Sequence, residues 1–179
     1  MHTIVWILFL IHENSLSLCS SFEYSNHTTM QNVFSTQDVN DFIERINKLT
    51  PNTEPQWGKM SATQMLAHSN VTYEMAFENK HPKPNAIMRL ILKLFVKDKV
   101  TSEKPYGHNS PTAPQFIIKD ERDFDTERNR LIGYINKTKD LGEKYFEGKE
   151  SHSFGKLTSK EWNNMFAKHL HHHLSQFGV

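Results

Sequence analysis

The chain has 179 residues, 23% of them charged and 37% hydrophobic, with a formal net charge of +1. That make-up fits one globular domain with a sizeable core and argues against a disordered chain. The lack of any basic block or aromatic-interleaved basic run argues against nucleic acid as a partner, and Cys19, the only cysteine, rules out both an internal disulfide framework and a cysteine zinc site.

The first 29 residues differ from the rest. Residues 3–11 (TIVWILFLI) form an apolar run of nine, too short to span a bilayer. No Lys or Arg precedes it, and Glu13 and Glu23 are the only charges before Met30. Leu16-Ser17-Leu18-Cys19 is a poor lipoprotein cleavage box, because Leu18 is bulky where a small residue is needed. Met30 is therefore the expected domain start, with residues 1–29 an upstream extension; a weak export signal is the alternative. The expectations are a cytoplasmic protein, exported if that segment acts as a signal, with no stable membrane span. A homodimer is compatible with the sequence.

Five helical segments are expected in residues 30–179. The first follows Ser35, which forms a capping-box-like pair with Asp38, and carries the stripe Val39, Phe42, Ile43, Ile46 and Leu49 until Pro51 and Pro55 end it. The second opens on the capping box Ser61-Ala62-Thr63-Gln64 and runs to about Glu78, with Gln64, Met65, His68, Val71, Thr72 and Met75 on one face. The third, from about Asn85 to Lys97, is rich in Ile, Leu, Met and Phe. A Pro-containing loop follows, long enough to suggest a functional role. The fourth helix runs from about Asp125 to Glu147, weakened by Gly133 and Gly142. The fifth starts at the capping box Thr158-Ser159-Lys160-Glu161 and ends near Phe177, with Gly178 as the stop. No alternating strand pattern appears. The expected fold is all-α, a helical bundle.

The last helix concentrates the chemistry. At ~100° per residue, Trp162, Met165, Phe166, His169, Leu170, His173, Leu174 and Phe177 share one face, while His171 points away and His172 lies on the flank. Two imidazoles one turn apart on a core stripe are costly to bury unless something takes their lone pairs, and a metal does so. His68, on the apolar face of the second helix, is the best third ligand. Three histidines with an open position make a catalytic zinc-type site. The alternative is that all three are core histidines bonded to protein oxygens. There is no H-E-x-x-H, so a zincin base is missing. Trp57 reads as a packing anchor, and His108 and His152 as loop histidines, His152 within reach of the mouth of a site.

Gln56-Trp57-Gly58-Lys59-Met60 leading into Gln64-Met65-Leu66-Ala67-His68 resembles the opening of a DinB-like domain. Phe154-Gly155-Lys156-Leu157-Thr158, Trp162 and Lys168 to Gly178 resemble its last helix. The match is to a bacterial subfamily of the DinB/YfiT superfamily and covers residues 30–179. It implies an up-down-down-up four-helix bundle, here with an extra short N-terminal helix, and a divalent metal held by His68, His169 and His173. Zinc is the first choice, with nickel, manganese or iron as alternatives. His172, His152 and Gln64 are the candidates to support those ligands. Characterised relatives include transferases and isomerases that use low-molecular-weight thiols, which implies a metal-activated thiol or water attacking a small electrophile. No thiol-binding motif is visible, and His171 stands where the superfamily often has an acid. The alternative is a bundle that binds a metal or small ligand without turnover.

Overall fold

The computed structural model describes residues 30–179. The elements in chain order are α1 (Thr36–Asn47), α2 (Ala62–Phe77), α3 (Ala86–Phe95), α4 (Lys97–Thr101), a 3-10 turn (Pro114–Phe116), α5 (Phe124–Phe146), β1 (Glu150–Ser151), β2 (Gly155–Lys156) and α6 (Ser159–Gln176). The protein is mainly helical. Its strands form one short antiparallel ribbon pairing Glu150 with Lys156 and Ser151 with Gly155. The ribbon was not expected from sequence, since two residues per strand are too few to show alternation.

Local signals set most of the ends. Both expected capping boxes form: Ser61 with Gln64 at α2, and Thr158 with Glu161 at α6. The pair at α1 does not. Ser35 makes no side-chain cap bond, and the shorter Asp38 side chain instead accepts from the Asn32 backbone N–H at 2.6 Å. In α5, Gly142 has φ 70° and ψ 172°, so the helix breaks there.

Helices α1, α2, α5 and α6 pack on one another, α2 against α5 most extensively. α2 is the central helix and is buried nearly all round. α1 is not an accessory to that core, because Val39, Phe42 and Ile46 are fully enclosed in it. The helices outside it are α3 and α4. Tyr73 of α2 stacks on Phe166 of α6 at 4.6 Å between ring centres, and Phe146 and Trp162 close the same aromatic cluster. Polar ties add register: Glu127 of α5 accepts from Asn70 of α2 at 2.7 Å and from Arg130 at 2.8 Å, and Arg130 also reaches Glu74 of α2. Among the described residues, no helix is long and apolar enough to cross a membrane.

Candidate metal centre

α2 and α6 bring His68, His169 and His173 to one point, with one ligand nitrogen from each within 4.8 Å of the others. His68 and His173 are buried, while His169 keeps some exposure. The Nε2 atoms of His68 and His169 are 3.1 Å apart. Three imidazoles on a tetrahedral zinc, at Zn–N of about 2.0–2.1 Å, hold their nitrogens about 3.3 Å apart. The pair therefore has nearly the separation that a shared cation requires.

Each ring is oriented from behind. His68 Nδ1 lies 2.9 Å from the Phe116 carbonyl. A carbonyl only accepts, so Nδ1 carries the proton and Nε2 presents a lone pair. Gln176 Nε2 donates to the Trp57 carbonyl at 2.8 Å. Its Oε1 is thus the atom 2.9 Å from His173 Nδ1, and it accepts from that N–H. His173 likewise turns Nε2 inward as a lone pair. His169 Nδ1 sits 3.1 Å from Thr72 Oγ1. His68 and His173 thus have the arrangement that metal-binding histidines need, the far nitrogen bonded and the near one free.

The surroundings keep the rings neutral. Burial lowers His68, partly countered by its bond to Phe116. Burial, then the nearby His173, His68 and His172, holds His169 well below the ordinary histidine value. Burial and His68 push His173 down to about 3. Neutral imidazole is the form that ligates.

The triad opens into a cavity of about 940 Å³ whose wall includes Trp57, Tyr106, Phe116, Met88 and Leu92. The Pro-containing loop after α4 forms much of that wall, and no Asp or Glu is part of it. Lys168 of α6 fastens the start of the loop by donating to the carbonyls of Lys99 (2.9 Å) and Ser102 (2.5 Å). Trp57 is more than a packing anchor, since it stacks on His108 at 3.9 Å and meets His172 edge-on at 6.0 Å. The expected loop histidine His108 thereby joins the rim.

The residues expected to support the ligands are placed differently from one another. His172 lines the cavity and meets the His173 ring edge-on at 5.0 Å, without a hydrogen bond to it. His152 also lines the cavity, but its Nε2 faces the His81 carbonyl at 3.3 Å and its Nδ1 faces Ser153. Gln64 is taken up by the capping box and by the Ile118 carbonyl at 3.4 Å, which tethers the loop that carries Phe116. His171 points away and meets Arg45. The groups that directly orient the three rings are Phe116, Thr72 and Gln176. Of these, Gln176 was within reach of sequence reasoning, three residues beyond His173 on the same helix.

No curated protein and no solved structure matches the chain. A family model described as "Protein of unknown function (DUF1569)" matches residues 29–178, and the chain belongs to that DUF1569 family.

Proposed function

We propose that this protein is a divalent-metal-dependent enzyme of the DinB/YfiT type, with His68, His169 and His173 as the ligands. What carries the reading is the orientation of the rings. Two of the three tautomers are fixed by groups that can only accept, so His68 and His173 each turn an Nε2 lone pair toward the point that His169 also faces. The packing of α1, α2, α5 and α6 supports an up-down-down-up bundle, with ligands drawn from two facing helices. A small-molecule substrate and a cytoplasmic setting belong to the same reading.

Bound at this point, a divalent cation, zinc first and nickel, manganese or iron as alternatives, supplies Lewis acidity that lowers the pKa of a thiol or a water. The protein contributes position and dryness. His68, His169 and His173 would hold the cation as neutral imidazoles beside the cavity that they help to line. Trp57, Tyr106 and Phe116 shield that cavity from bulk solvent, and the apolar wall of Met88 and Leu92 receives the body of a small electrophile. The wall's lack of a carboxylate favours a second reading, a bundle that binds metal or a small ligand without turnover.

Metal content by plasma mass spectrometry on the full chain, beside the double variant His169→Ala/His173→Ala, tests the centre. About one equivalent of a divalent metal in the first and none in the second is expected. No metal in either, after incubation with zinc, nickel and manganese, refutes it. Turnover of thiol-acceptor or hydrolytic substrates by the loaded protein then separates the enzyme from the binding bundle.

A further inference from the structure

α3 is the one helix of ten residues or more, among those described, with no buried residue. Ile87 is 75% exposed, Leu94 66% and Phe95 76%, with Leu90, Met88 and Ile91 also open. Together these side chains present roughly 700 Å² of apolar surface, above the ~300–600 Å² of the largest patch on an ordinary monomer. At ~100° per residue, Ile87, Leu90, Ile91 and Leu94 form a continuous outer stripe, and Met88, Leu92 and Phe95 lie on the adjoining arc that lines the cavity. Arg89 and Lys93 fill the narrow remaining sector.

Charge decides what covers that stripe. Residues 83–104 contain six basic side chains and two acids. Arg89 pairs with Glu150, and Lys97 with Glu161. Glu103, one of the two acids, is taken by Lys160. Lys83, Lys93, Lys99 and Lys104 are exposed, and among the described residues no carboxylate pairs with them. A second copy of the chain on the same face would bring the four lysines of each copy together. An anionic surface would neutralise them. Lys93 stands on α3 itself, and Lys83, Lys99 and Lys104 lie within about ten residues of its ends in the sequence; an exposed apolar stripe in a segment with an excess of exposed lysines suits a lipid interface, the apolar side chains among the acyl chains and the lysines toward the headgroups.

We propose that α3 docks this protein on anionic membrane surfaces. Docking brings Met88, Leu92 and Phe95, which line the cavity, next to the lipid interface. The proposal does not depend on the metal reading.

Flotation of the full chain with phosphatidylcholine vesicles, with and without one-third phosphatidylglycerol, tests it. Partitioning at least tenfold stronger onto the anionic vesicles is expected, with a fall in 0.5 M salt. Leu90→Gln/Leu94→Gln abolishes binding to both vesicle types while leaving the circular dichroism spectrum unchanged. Lys83→Gln/Lys93→Gln leaves the helix intact and weakens anionic binding about 25-fold, at about fivefold per lysine. The proposal falls if wild-type protein stays off anionic vesicles. It falls equally if the leucine variant binds as well as wild type, because residues outside α3 then do the binding. Sedimentation velocity supplies the third refutation, a dimer that the leucine variant dissociates, which assigns the face to a second copy.

Discussion

Gln176 is the most informative residue to change, because one buried side chain holds two parts of the centre together. It accepts from His173 Nδ1–H at 2.9 Å and donates to the Trp57 carbonyl at 2.8 Å, while its own carbonyl accepts from the Gln56 N–H at 2.7 Å. Gln176→Leu keeps the volume and the backbone bond and removes both side-chain bonds. His173 Nδ1–H is then left unpaired in a buried site, which costs about 1–3 kcal/mol. The Trp57 carbonyl belongs to a half-buried loop and can turn to water, so its loss adds about 0.5–1 kcal/mol. Metal-free protein should therefore lose about 1.5–4 kcal/mol in urea unfolding. Zinc affinity, measured by competition with a chromogenic chelator, should fall 10- to 100-fold, since the ring is no longer held in the ligating tautomer. Gln176→Glu separates the two duties. A carboxylate accepts from Nδ1–H at least as well but donates nothing to Trp57, so zinc binding is retained while part of the stability loss remains. If Gln176→Leu binds zinc as tightly as wild type, the orientation argument for the centre is wrong.

Two further predictions use neighbouring features. Gly58 has φ +87°, and a Cβ there would lie 2.5 Å from Gln176 Nε2; Gly58→Ala should therefore weaken zinc binding as Gln176→Leu does, and the two together should weaken it no more than either alone, with additive losses refuting the coupling. Burial pushes the Glu74 carboxyl up, but hydrogen bonds from His81 and Arg130, with Lys80 nearby, outweigh that and hold it below the ordinary carboxylate value. The stability that Glu74 contributes is thus complete above its unfolded value of 4.5 and is lost as the pH falls through the lower folded value. Glu74→Gln should cost about 2 kcal/mol in urea unfolding at pH 7 and progressively less as the pH falls below 4.5, and a cost that does not change with pH refutes it.

The histidine cluster was legible because a helix fixes angle. Once α2 and α6 were assigned, His68, His169 and His173 could be placed on core faces from spacing alone, and capping boxes at Ser61 and Thr158 pinned the two helices that carry them. The groups behind the ligands were harder to read, each for its own reason. Phe116 contributes a backbone carbonyl, which leaves no trace in a pattern of side chains. Thr72 shares a helix face with His68 but bonds His169, a pairing that depends on how α2 and α6 are set against each other. Gln64 looked like support for the metal because it faces His68, yet the capping box that identified the helix also occupies the side chain. At α1 the Ser35–Asp38 spacing suggested a box that the shorter aspartate does not close.

α3 shows a different limit. Its Ile, Leu, Met and Phe content reads as a core helix, and a count of apolar residues would rank it among the most buried elements. It is the most exposed of the longer helices described. Apolar content states how strongly a helix avoids water, and carries no information on whether the cover comes from the same chain. The basic residues around it do carry such information. Helices α1, α2 and α6, which pack into the domain, have acids and bases that find partners within it or lie apart on a solvated face. Lys93 stands on α3, with Lys83, Lys99 and Lys104 near it in the sequence, all four exposed and, among the described residues, in no ion pair with a carboxylate. Where an apolar stripe and unmatched charge of one sign coincide in one segment, both point to a surface outside the fold, and the charge names its sign.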